Sequence, residues 1–329
     1  MRVMLVVMDE RRAILDWLYE SIANGLPECR IFRLTSDQQE NLARFFKDHD
    51  PADYDRIVIF SRLKRLIGQE RLLRLVPGLV FFEYDVWQNY MPECDYHGRY
   101  SRFYRSVPGC RVISSGHQVA QRLRGEGIDA RFVPKGFDDR AITDTGQERD
   151  IFAAFLGSTK NEFYARRRAM LDAIGEAFPI LVTRTESGDD YVATLNRIRV
   201  FVSADSGMSE YMLKNFEALA AGCVLLTEDQ GADENEVIGF RDMENVVFYR
   251  SAAEAVEKLR MLESSPELCA RLSEEGKRFV RERFAFSRIG PLVAQEIAAS
   301  MPPQGKPGTI DRLLARIRYR WMLPGGRAR

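Results

Sequence analysis

At 329 residues, 45% of them hydrophobic and 11% aromatic, the chain is long enough for two domains with ample cores. Its 48 basic and 48 acidic residues cancel, which removes the global field that would recruit nucleic acid. Five scattered cysteines with no Cys-x-x-Cys pair, and only three histidines, argue against a structural metal and for reduced thiols packed in a cytosolic protein. Met1 leads straight into an apolar run without a charged-then-apolar leader, and no stretch approaches the ~20 residues of a membrane span. The expectation is a cytoplasmic protein, soluble or peripheral at the inner face of a membrane.

Strand-like runs recur at residues 2–8, 29–34, 56–60, 79–82, 111–114 and 131–133, with amphipathic stretches such as 12–22 and 119–125 between them. That alternation predicts a doubly wound, mainly parallel sheet. Met8-Asp9-Glu10-Arg11 follows the first run where a dinucleotide-binding sheet would carry Gly-x-Gly-x-x-Gly, so an NAD-dependent reading is weakened. After the fourth run comes Glu83-Tyr84-Asp85-Val86-Trp87-Gln88-Asn89-Tyr90. Carboxylates beside aromatic rings suit the hydroxyl edge and C–H face of a sugar, which makes Glu83, Asp85 and Trp87 candidates for an acceptor or sugar site. The alternative is that Trp87 and Tyr90 cap the sheet while the acids are solvated or paired with Arg99 or Arg102. Ser114-Ser115-Gly116-His117 opens a helix, suited to capping or phosphate contact, and His117 joins the acceptor-side candidates.

A polar connector at 140–149 precedes a second set of elements. The strand predicted at 152–156 ends in Gly157-Ser158-Thr159-Lys160, with Arg166, Arg167 and Arg168 close behind. At helical spacing only one or two of those arginines face one side. The stretch from Lys214 through Asn215-Phe216-Glu217-Ala218-Leu219-Ala220-Ala221-Gly222 reads as a short helix with a glycine stop, followed by a buried strand from Val224. Lys214 and Glu217, at the start of that helix, point beyond the strand ends, where open α/β sheets take their ligands. The acidic loop 227–236 reads as mostly solvated.

The segment 214–227 resembles the C-terminal domain of the two-domain (GT-B) glycosyltransferases, closest to their retaining, metal-independent "group 1" branch. Residues 245–249, 252–262, 266–279 and 281–287 resemble the strands, helices and closing segment that follow in that family, and 130–138 its interdomain turn. The fold this implies is α/β, two Rossmann-like doubly wound domains facing a central cleft. Residues 1–147 form an acceptor-side domain and 148–288 a nucleotide-sugar donor domain, with a crossover helix at 289–300 and a tail at 301–329. The resemblance implies a glycosyltransferase that takes a nucleotide-diphosphate sugar and a glycan or lipid-linked acceptor, with no cofactor and no metal.

It implies donor contacts from Gly157, Ser158, Lys160, Ser209, Tyr211, Met212, Lys214 and Glu217, with Glu217 accepting from the ribose hydroxyls. Glu210, Lys214 and Asp85 are the catalytic candidates. Without a metal, the departing diphosphate needs cationic side chains and N–H donors, which Lys214 and the stretch 206–211 offer. Two departures stand out. Ser158 occupies the family's arginine position, and six residues separate Glu210 from Glu217 where the family has seven, with Ser209 at the aligned place. Glu83-x-Asp85 imitates the metal motif of single-domain glycosyltransferases, a reading the two-domain pattern disfavours.

The tail carries Lys306, Arg312, Arg316, Arg318, Arg320, Arg327 and Arg329 against Asp311, a net +6. Ile310, Leu313, Leu314, Ile317 and Trp321 share one helical face, so the segment suits an anionic membrane surface or a protein partner. The leading expectation is a transferase of surface polysaccharide, lipopolysaccharide or glycolipid assembly. The alternatives are a degenerate nucleotide-binding scaffold and a nucleotide-sugar epimerase.

Overall fold

The computed structural model describes residues 1–9, 15–205 and 210–302. Ser209 and nearly all of the basic tail therefore lie outside the described residues.

Six strands form the first sheet: β1 (Arg2–Met8), β2 (Glu28–Leu34), β3 (Arg56–Ile59), β4 (Leu79–Glu83), β5 (Arg111–Ser114) and β6 (Asp129–Phe132). They lie in the order β2-β1-β3-β4-β5-β6, every pair parallel. The sequence explains this, because runs such as Val3-Met4-Leu5-Val6-Val7 and Leu79-Val80-Phe81-Phe82 are apolar at successive positions and buried on both faces. The second sheet holds β7 (Ile151–Leu156), β8 (Leu181–Thr183), β9 (Ile198–Ser203), β10 (Val224–Glu228) and β11 (Val247–Tyr249). Its order is β11-β10-β9-β7-β8, again all parallel. Two parallel sheets with intervening helices are the α/β architecture expected from the sequence.

Each sheet is the centre of a compact unit. Unit one comprises Met1–Ser115, Val119–Val133 and the chain from Gly290; unit two comprises Pro134–Ile289 with Gly116–Gln118. The helix Phe286–Ala298 starts three residues before the predicted crossover and passes from the second unit into the first at Gly290.

Within the first unit, the end of that helix is fixed by a guanidinium. Arg111 is fully buried at the start of β5 and donates to the carbonyls of Glu296 at 2.7 Å, Ala299 at 3.1 Å and Ser300 at 2.6 Å, while its Nε donates to Asp129 at 2.9 Å. The last carbonyls of a helix have no partner of their own, and cationic groups there also answer the helix dipole.

In the second unit the helix Leu213–Ala220 stops where the sequence places its glycine. Gly222 has φ of +83°, and the N–H groups of Gly222 and Cys223 donate back to Leu219 and Ala218. A side chain at Gly222 would meet Arg149 and Asp144 at under 3 Å, so both backbone sign and space demand glycine. The strand order reverses between β7 and β9, because the chain leaves β7 for β8 on one side and returns to β9 on the other. The C-terminal ends of β7 and β9 thus flank a switch point, the place where open α/β sheets bind ligands.

Candidate functional site

β7 ends in Leu156 and Gly157, and Lys214 reaches them from the first turn of the Leu213–Ala220 helix. Its Nζ donates to the Leu156 carbonyl at 2.5 Å. A methyl group at Gly157 would lie 2.7 Å from the Phe155 ring, so it is the ring that demands glycine there, while the Lys214 amine would stay in ordinary contact at 3.4 Å. Burial pulls the Lys214 ammonium below its ordinary pKa, with Arg167 and Arg184 adding to the effect and Glu217 opposing it.

One turn on, Glu217 is buried among small apolar residues of its helix, Ala218, Ala220 and Ala221. Its Oε2 accepts from the Tyr191 hydroxyl at 2.6 Å, and the Tyr191 ring lies under the Lys214 amine, 5.4 Å from the centroid. Tyr191 sits on the helix Asp189–Asn196, which connects β8 to β9. Burial raises the Glu217 carboxyl; the Tyr191 hydroxyl and the Lys214 charge hold it down. Sequence reading singled out Lys214 and Glu217 but not Tyr191, which carries no local signal and is linked to Glu217 across 26 residues.

The arginine triplet divides as helical spacing requires. Arg167 is buried and fills the position beneath Ser158: it donates to the carbonyls of Ala204 at 2.9 Å and Ser158 at 3.3 Å, and its guanidinium stacks on Tyr164 at 4.7 Å and Phe155 at 5.3 Å. Burial lowers its pKa. Arg166, more exposed, pairs with Glu228 at 2.7 Å at the end of β10. Arg168 turns to the Thr159 carbonyl at 2.8 Å. Ser158 is half-buried and Lys160 exposed. Arg167 and Lys214 thus both bind backbone carbonyls around the end of β7, those of Ser158 and Leu156.

Glu210 is buried and forms an ion pair with Lys135, also buried, from the turn after β6. Lys135 was not a predicted site residue. Glu234, 1% exposed, accepts from the backbone N–H groups of His117 at 3.2 Å and Gln118 at 3.1 Å, residues that cluster with the second unit. Burial raises the Glu234 carboxyl, partly offset by those N–H groups and by Lys135. Tyr211 is buried with its hydroxyl donating to Asn235, and Met212 offers its sulfur to Arg167 at 2.9 Å. The acidic loop read as solvated is therefore partly internal: Glu228 and Glu234 are both buried.

The remaining candidates lie in the first unit. Glu83 is the last residue of β4 rather than a loop residue, and is buried, whereas Asp85 is exposed and Trp87 is buried. Among the described residues Glu83 Oε1 has no hydrogen-bond partner, and burial together with the nearby Asp85 pushes its carboxyl well above the usual range, with Tyr104 opposing. Among the described residues, no group of three or more His, Cys, Asp or Glu side chains is placed to hold a metal ion.

Around the ends of β7 and β9 the second unit thus offers a half-buried ammonium, a buried guanidinium, and a carboxylate braced by a tyrosine. Such a set can neutralise a diphosphate and accept from hydroxyl groups. Residues 160–292 match the family model of the glycosyl transferase-like proteins. No curated protein matches the chain in sequence. In fold it is similar to HepE of Anabaena in complex with UDP-glucose, with TM-score 0.69, 10% identity, 91% of this chain and 100% of that one covered. It is similar to sucrose-phosphate synthase from Thermosynechococcus elongatus, with TM-score 0.67, 13% identity, and 90% and 98% covered. The T4 phage β-glucosyltransferase gives TM-score 0.61, 12% identity, and 91% and 100% covered. At these identities the likeness establishes architecture, and the architecture is GT-B.

Proposed function

Taking the chain as a glycosyltransferase by fold and by its matched domain, we propose that it moves a sugar from a nucleotide-diphosphate sugar to a glycan or lipid-linked acceptor. The transfer retains anomeric configuration and needs no metal. The observation that carries this reading is the pairing of Lys214 and Glu217 in one buried helical turn at the β7/β9 reversal, with Arg167 beside the same strand end. UDP-glucose is the first donor to try, since HepE and the T4 enzyme both have structures with it.

In this mechanism the bond between the anomeric carbon and the diphosphate oxygen breaks as positive charge grows on the sugar. Lys214 and Arg167 meet the negative charge left on the diphosphate, which also restores the Lys214 ammonium that burial disfavours. Glu217 accepts from the ribose hydroxyls. The acceptor oxygen attacks from the face that the diphosphate leaves, and its proton passes to the departing phosphate oxygen. Glu210 stands near the sugar in this scheme, with Lys135 setting its position.

A thermal-shift screen against UDP, GDP, ADP, dTDP and CMP sugars tests the reading. One nucleotide should raise the melting temperature selectively, and Glu217→Ala should lose that shift while keeping the unliganded melting temperature nearly unchanged. No shift with any nucleotide sinks the donor site. EDTA should leave turnover intact; strict dependence on a divalent ion, which accompanies UDP in one structure of the T4 enzyme, would reverse the metal-free assignment.

A second reading, a nucleotide-binding scaffold without transfer, is favoured by the engagement of Glu210 by Lys135. Tight nucleotide binding with no turnover on any acceptor would establish it. A role in surface polysaccharide or glycolipid assembly agrees with the basic tail. No helix among the described residues is long and apolar enough to cross a membrane. Removing residues 303–329 should abolish binding to anionic liposomes, and unchanged binding would end that idea.

A further inference from the structure

Tyr191 is the side chain that both ligand-facing groups of the Leu213–Ala220 helix share. Its hydroxyl donates to Glu217 Oε2 at 2.6 Å, and its ring supports the Lys214 amine at 5.4 Å from the centroid. Among the described residues the second oxygen, Oε1, takes no hydrogen bond. Its helix neighbours Ala218, Ala220 and Ala221 are buried and carry no side-chain donor. A carboxylate in such a place turns about its own axis and readily takes a proton unless something fixes both its direction and its charge. Tyr191 does both.

We propose that Tyr191 is a positioning residue for the nucleotide, holding Glu217 by one oxygen so that the other is presented to the ribose hydroxyls. This rests on the donor-site reading above. The phenol is suited to the task because burial and the neighbouring carboxylate keep its proton on at any ordinary pH, so it is always the donor and never the acceptor. Its placement on the β8-to-β9 connection has a second consequence. The same helix that takes the chain across the strand-order reversal carries the group that orients the ligand contact there. The groups that bear on the Glu217 charge are Tyr191, Lys214 and, more weakly, Asp138.

The test uses the full chain with Tyr191→Phe, which keeps the ring and its contact with Lys214. Binding of UDP, with GDP and ADP alongside, is measured by calorimetry against the 2′,3′-dideoxy form of each, from mildly acid to mildly alkaline pH. In the wild type the ribose form should bind more tightly. The variant should lose about tenfold for the ribose form, the worth of one well-placed hydrogen bond, and little for the dideoxy form. The pH below which ribose-form affinity falls should also move upward, because a proton is taken more easily once the phenol is gone. In a Tyr191→Phe/Glu217→Gln double variant the tyrosine change should add nothing to the glutamine change.

Equal losses for ribose and dideoxy forms would mean Tyr191 is only structural and would overturn the proposal while leaving the donor site standing. Unchanged binding of both forms would overturn it in the same way. Wild-type protein that binds none of the three nucleotides would remove the donor-site reading, and this inference with it.

Discussion

Glu210, Glu217, Glu228 and Glu234 in the second unit are all buried, and each faces a cation or a donor: Lys135, Tyr191, Arg166 and two backbone N–H groups respectively. In the first unit the buried acid Glu83 ends a central strand with one oxygen unpartnered among the described residues, and Asp85 adds repulsion that Tyr104 opposes. All of these acids are buried; what differs is the kind of group set against each. Burial raises the carboxyls of Glu83, Glu217, Glu228 and Glu234 alike, and in the second unit cations and donors hold the rise back. The second unit sets cations against its buried acids, whereas Glu83 has a second acid beside it.

The strongest way to break this contrast is Lys135→Met. It leaves Glu210 buried beside an apolar side chain, and losing one partner of a buried pair lowers stability by roughly 3–5 kcal/mol. Urea denaturation at neutral pH reads this directly, and a nearly neutral result would show that Glu210 draws its stabilisation from elsewhere. Glu83→Gln sharpens the other side. Because the folded protein raises the Glu83 carboxyl, its contribution is fully present below the ordinary carboxylate range and is lost as pH rises above it. Glutamine, which never ionises, should match the wild type in acid and exceed it at neutral pH by roughly 1–3 kcal/mol, the order of an unsatisfied buried group. A variant less stable at neutral pH would mean that Glu83 is ionised and paired. The smallest effect is expected from Arg166→Ala, since the arginine is largely exposed: under about 1 kcal/mol in stability, with a larger change only if Glu228 is shielded when the protein is free.

The sheets were legible wherever a strand is a continuous apolar run, because a parallel strand covered on both faces needs nothing else. Arg2–Met8 and Arg111–Ser114 coincide with the runs read from sequence. The helix stop at Gly222 was legible for an equally local reason, its positive φ. β8 was not foreseen: it has three residues at a sheet edge, with Leu181 and Val182 about two-fifths exposed, too short and too open to leave a pattern. β9 was not singled out either, although Ile198, Val200, Phe201 and Val202 are all fully buried. Glu83 was read as a loop residue because an acid at a strand end looks like its boundary, and only its pairing with Ser114 of β5 places it in the strand. Lys214 and Glu217 were found because they share one short helix. Tyr191, which braces Glu217, and Lys135, which pairs with Glu210, were not, since they act across 26 and 75 residues of chain.

Arg111 carries a last consequence, for the order in which the protein is completed during synthesis. The carbonyls that receive its guanidinium, those of Glu296, Ala299 and Ser300, are made nearly two hundred residues after it. Until they emerge, Arg111 has Asp129 but not the three carbonyls that complete its burial, and a cation is costly to bury unless it is fully partnered. Synthesis arrested before residue 286 should leave the first unit open to protease, and early protection would refute this. The sheet encoded first is therefore the one finished last, and its closing latch is translated only after the whole second sheet.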